Sequence, residues 1–96
     1  MTQKTLAQQK RATTQFGDLI TLEYYLVTDQ ISFDGAALDS YGVEILLHRV
    51  DSDLQESSTV HHVTTRPGTI LHILLTLANN TVTPCTLRQS VLDLIS

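Results

Sequence analysis

The chain has one cysteine, no tryptophan, two prolines and four glycines among its 96 residues. Each scarcity excludes something. A lone Cys85 cannot close an internal disulfide or build a thiolate zinc cluster, so the core must hold by packing alone, which fits a reducing cytoplasm. The glycines are scattered, so there is no glycine-rich loop to cradle a phosphate, and Asp34-Gly35 and Arg66-Pro67-Gly68 are isolated turn signals. No apolar run approaches the roughly 20 residues needed to cross a bilayer. No apolar block follows Lys4, Lys10 and Arg11, as a secretory signal would require.

Basic side chains are also few: six Lys and Arg against ten Asp and Glu. Half of the basic ones lie in the first 11 residues, so residues 17–96 carry three positive and ten negative side chains, a formal −7. An acidic body repels the phosphate backbone, which argues against nucleic acid as a partner. At 42% hydrophobic and 17% charged the chain is too apolar for a disordered segment. Its length suits one domain. Residues 1–17 read as a flexible N-terminal tail and residues 18–96 as a single folded domain.

Within that domain Leu19–Thr28 alternates, with Ile20, Leu22, Tyr24 and Leu26 on one side and Thr21, Glu23, Tyr25 and Val27 on the other. That is the period of a half-buried strand. Ile31 and Phe33 can extend it toward a turn at Asp34-Gly35. Tyr41–Val50 alternates again, with Tyr41, Val43, Ile45 and Leu47 on one face. Residues 57–65, β-branched and free of Gly and Pro, suggest a third strand at a sheet edge.

Ile70, Ile73, Leu74 and Leu77 then fall at helical spacing, and Leu71, Leu75 and Ala78 widen the stripe so far that burial on two sides is expected. Thr64 or Thr65 can cap this helix, Pro67 suits its first turn, and Asn79-Asn80 can end it in the left-handed conformation. Thr86 and Gln89 match a capping box for a second helix over about 87–95, with Thr83-Pro84 as the competing start. The expected fold is α+β: a three-stranded antiparallel meander, packed on one face by a C-terminal pair of helices in two layers.

Leu22–Val27 (LEYYLV), Tyr41–Ile45 (YGVEI) and the VTPCTL run from Val82 to Leu87 together resemble a small family of uncharacterised bacterial proteins of low-GC Gram-positive organisms, a domain of unknown function. The likeness covers about residues 19–95. It implies a bacterial cytoplasmic protein and brings no reaction, ligand or catalytic residue with it.

The residues that could carry chemistry are few. His61 and His62, adjacent on a strand, should point to opposite faces and so not share an ion. His48 could meet one of them across the ladder, with Glu44 or a loop carboxylate as a third ligand. Solvated or structurally satisfied histidines are the plainer reading, with His72 at the wet edge of the first helix. Cys85 could be activated at a helix N-terminus but lacks an assignable base, so a small buried hydrophobe fits better. Asp51, Asp53 and Glu56 lack the glycine and final glutamate of a calcium loop and read as a solvated turn. A helix-turn-helix reading would leave only Arg88 and Gln89 to meet DNA.

These considerations assign no catalytic, cofactor or metal residue and no small-molecule ligand. They favour a non-enzymatic module that meets a protein partner or a second copy of itself. The sheet face bearing Thr21, Tyr25, Val27, Leu46 and Val50 is the expected apolar contact surface. A metal-binding protein or small enzyme using strand histidines is the alternative, followed by a nucleic-acid-binding regulator.

Overall fold

A computed structural model describes residues 2–95. Met1 and Ser96, the first residue of the expected tail and the last of the expected domain, lie outside them. The elements in chain order are β1 (Thr2–Thr13), β2 (Leu19–Phe33), β3 (Ala36–Arg49), β4 (Gln55–Thr64), α1 (Pro67–Asn79), a 3₁₀ turn (Pro84–Thr86) and α2 (Leu87–Ile95). The sheet is fully antiparallel with strand order β1-β2-β3-β4.

The α+β reading holds, but the sheet has four strands, not three. The added strand is β1, which lies in the segment read as a tail and pairs with β2 from Thr2↔Asp29 to Thr13↔Leu19. Its sequence hides this because only Leu6, Ala7 and Ala12 are apolar and nearly all of its side chains are exposed. Polar anchors hold it in place of burial. Chief among them is Lys10, whose ammonium donates to the Ala78 carbonyl at 2.9 Å and to Thr81 Oγ1 at 2.8 Å, at the end of α1.

The two central strands follow the alternation closely. Ile20, Leu22 and Tyr24 from β2, with Val43 and Ile45 from β3, form the sheet side of the core. Ile70, Ile73, Leu74, Leu77 and Ala78 from α1 close it, with Leu87 and Val91 from α2. Burying a side chain of this size contributes about 1.5–3 kcal/mol, so these residues dominate the stability of the fold. Tyr24 is fully buried, its hydroxyl donating to the Val82 carbonyl at 2.9 Å, and burial pushes its phenol up to about 12. The β2–β3 hairpin turns at Asp34 (φ 53°) and Gly35 (φ 78°), the two positive values of a type I′ turn.

The helix ends depart from the expected caps. Arg66 precedes α1 without a side-chain cap, and Thr64 Oγ1 instead accepts from the Arg66 N–H at 3.1 Å. The left-handed residue after α1 is Thr81 (φ 52°), not Asn79 or Asn80. The capping box of α2 does not form: Thr86 Oγ1 donates back to the Thr83 carbonyl, and the Gln89 amide donates to Asp93 at 2.9 Å. Leu71 and Leu75, expected to be buried with the rest of the α1 stripe, are 52% and 56% exposed. The sheet covers only one side of the helix. Among the described residues no helix is long and apolar enough to cross a membrane.

Candidate functional site

The sheet face turned away from the helices is not the apolar surface that the alternation suggested. Thr21, Tyr25 and Leu46 are half-buried, Val27 is fully buried and Val50 is exposed. Val27 lies between Lys4 and Gly42 in the register, at the centre of a polar network. Lys4 Nζ donates to Glu44 Oε2 at 3.0 Å and stands 5.8 Å from the centre of the Tyr25 ring. Thr59 Oγ1 donates to the other oxygen of Glu44 at 2.6 Å. Tyr25 Oη donates to Glu23 Oε2 at 3.3 Å, while Glu23 Oε1 lies 3.0 Å from His48 Nε2. The face is tied together by side chains from all four strands.

The network shifts the groups within it. Burial pushes the Glu44 carboxyl up, but the Thr59 hydroxyl and the Lys4 ammonium outweigh it and hold the group below its ordinary value. The same hydrogen bond and the Glu44 charge raise Lys4. The Thr2 hydroxyl, then the His61 ring, hold the Asp29 carboxyl below its ordinary value.

At the far end of this face β4 bulges. Its register runs from Val60↔Val43 to Thr64↔Tyr41, so three β4 residues, 61–63, stand against Gly42 alone. The bulge presses on that glycine: a Cβ at Gly42 would lie 2.2 Å from the Val60 carbonyl oxygen and 3.0 Å from His61 Cα. Only a residue without a side chain fits there. His62 takes φ 56° to complete the bulge.

The bulge overturns the expectation that His61 and His62 point apart. His61 Nδ1 lies 2.9 Å from Asp29 Oδ2, His62 Nδ1 lies 3.0 Å from Ser40 Oγ, and the ring centres are 6.0 Å apart. Asp29 and Ser40 are register partners on β2 and β3, and both are buried. Two exposed imidazoles therefore stand side by side, each fixed at Nδ1 by an oxygen from below. Thr2 Oγ1 also donates to Asp29, so β1 closes the base of the cluster.

His48 does not join them. It pairs with Gln55 in the register and lies against Glu23, and Glu44 is taken by Lys4 and Thr59. The expected grouping of His48, a β4 histidine and Glu44 is thus not formed. Among the described residues no three His, Cys, Asp or Glu side chains converge as metal ligands.

His72 is exposed on α1, as expected. Cys85 is exposed rather than buried, its Sγ 3.3 Å from Thr83 Oγ1 in the 3₁₀ turn. Asp51, Asp53 and Glu56 are exposed in and beside the β3–β4 loop, and Arg88 and Gln89 are exposed on α2. Asp29 and Ser40 had no part in the sequence reading; their signal was only that a polar residue falls on each central strand where the apolar alternation ends.

A model of a family of unknown function, DUF6514, matches residues 3–96. The chain belongs to that family. The match takes in β1, which the likeness seen from residue 19 onward had left out. No curated protein and no solved structure is significantly similar to the chain.

Proposed function

We propose that this member of DUF6514 is a non-enzymatic protein-contact module that pairs with a second copy of itself along the β1 edge. The observation that carries the reading is the exposure of Leu71 and Leu75 beside that edge. A stripe this apolar is expected to be covered, and these two leucines, beside Ala7 and Gln8 of β1, stay more than half exposed.

The edge and the leucines together favour a second copy over an extended peptide. β1 is an outer strand of 12 residues, so its outward N–H and C=O groups lack strand partners. A peptide added there would satisfy the backbone but leave the helix leucines wet. A second β1 related by a two-fold axis brings its own α1 alongside, so one isologous contact pairs the strands in one layer and covers Leu71 and Leu75 in the other. Lysines on an edge strand ordinarily discourage such pairing. Here the ammonium groups of Lys4 and Lys10 are already engaged within the chain, which weakens that obstacle.

Light scattering on the eluting protein tests this. The wild-type chain is expected at twice the monomer mass, and Leu71→Lys with Leu75→Lys is expected at the monomer mass with an unchanged circular dichroism spectrum. A wild-type monomer at every concentration up to the millimolar range overturns the reading.

A further inference from the structure

We propose that His61 and His62 form a two-histidine site for a divalent transition-metal ion, zinc above all, on the β4 bulge. This goes beyond the pairing proposed above and does not depend on it. Imidazole nitrogen is a preferred donor for zinc, and histidines that bind metal nearly always have the second ring nitrogen fixed by a carboxylate or another oxygen. That second layer is already present. Asp29, an acceptor when ionised, accepts a hydrogen bond at 2.9 Å from His61 Nδ1 in the neutral tautomer that leaves a lone pair at Nε2. Ser40 Oγ, at 3.0 Å, accepts in the same way from His62 Nδ1 in the tautomer that frees its Nε2.

The spacing fits with a small adjustment. Two imidazoles on one tetrahedral zinc, with Zn–N bonds near 2.0–2.1 Å, have ring centres roughly 5 Å apart. The pair stands at 6.0 Å, with ring planes 41° apart, and both side chains are exposed, so a small tilt that keeps each Nδ1 on its oxygen closes the rings to that spacing. Because no third protein ligand converges among the described residues, water fills the other positions, and the site binds reversibly rather than as a structural zinc. Sequence spacing alone predicts the opposite, since strand neighbours diverge. The bulge over Gly42 and the positive φ of His62 bring the two rings to one place.

Calorimetric titration of the full chain with zinc chloride tests the site. One ion per chain is expected. His61→Asn and His62→Asn each remove an Nε2 donor while keeping a side chain able to hydrogen-bond near the Nδ1 position, and asparagine tolerates the left-handed backbone at residue 62. Each is expected to weaken binding at least tenfold without loss of fold by circular dichroism. Asp29→Asn is expected to weaken it by about 10–100-fold through the lost second layer, and His48→Ala and His72→Ala are expected to leave it unchanged. Absence of zinc binding in the wild type, or binding as tight as wild type in either asparagine variant, overturns the proposal.

Discussion

The Lys10 ammonium on β1 donates to the carbonyl of Ala78, 68 residues later in the chain and at the end of α1. A cation there meets the negative end of the helix dipole as well as an orphan carbonyl, so the contact joins the N-terminal strand to the helical layer. It also explains how a strand with almost no apolar side chains keeps its place.

Lys10→Met keeps the aliphatic stem and removes the charge. It is expected to cost about 1–2 kcal/mol, the range for a charge-assisted hydrogen bond at a helix C-terminus. In a thermal melt that is a fall of several degrees, since about 1 kcal/mol moves Tm by roughly 4–8 °C in a domain of this size. An unchanged Tm would show that the strand pairing alone holds β1.

Gly42→Ala puts a methyl group 2.2 Å from the Val60 carbonyl oxygen. Backbone on both sides has to move, and overpacking of this kind costs about 1–3 kcal/mol. The expected signature is local: chemical shifts of the His61 and His62 rings change in NMR spectra more than those of residues at the Ile20 end of the sheet. Wild-type stability with unmoved histidine resonances would contradict the close packing of the bulge.

Both depressed carboxylates act in the same direction with pH. Asp29 and Glu44 have folded-state values below their ordinary 3.8 and 4.5, so the stability they contribute is present above those values and is lost as pH falls through and below them. Lys4, raised above its ordinary 10.5, contributes below that value and is lost as pH rises past it. Tyr24, raised from 10.0 to about 12, adds to the alkaline loss over the same interval. Urea midpoints are therefore expected to be level near neutrality, to fall below about pH 4.5 and to fall again above about pH 10. Glu44→Gln should shallow the acid limb; an acid limb identical to wild type would mean that the Lys4–Glu44–Thr59 link contributes nothing.

The sequence made the middle of the molecule legible and its margins not. β2 and β3 are central strands whose inner sides are buried, so Ile20, Leu22, Tyr24, Val43 and Ile45 had to alternate and did. α1 is legible for the same reason. β1 is an edge strand whose side chains are mostly exposed, so burial imposed no alternation and Lys10 looked like a tail residue. The histidine pair was misread because a bulge cancels the two-residue period, and its only trace in the sequence was a glycine, Gly42, inside an otherwise regular strand. The caps failed because Thr86 and Gln89 found nearer partners in Thr83 and Asp93.

The outward amides of β1 test the central claim most directly. In a monomer they face water and exchange freely; across a two-fold strand pair, alternate ones are hydrogen-bonded to the second copy. NMR-detected hydrogen exchange at millimolar concentration is expected to show protection at alternate β1 residues that fades on dilution and is lost in Leu71→Lys. Outward amides that exchange at unprotected rates at every concentration, while those facing β2 remain protected, would contradict pairing along this edge.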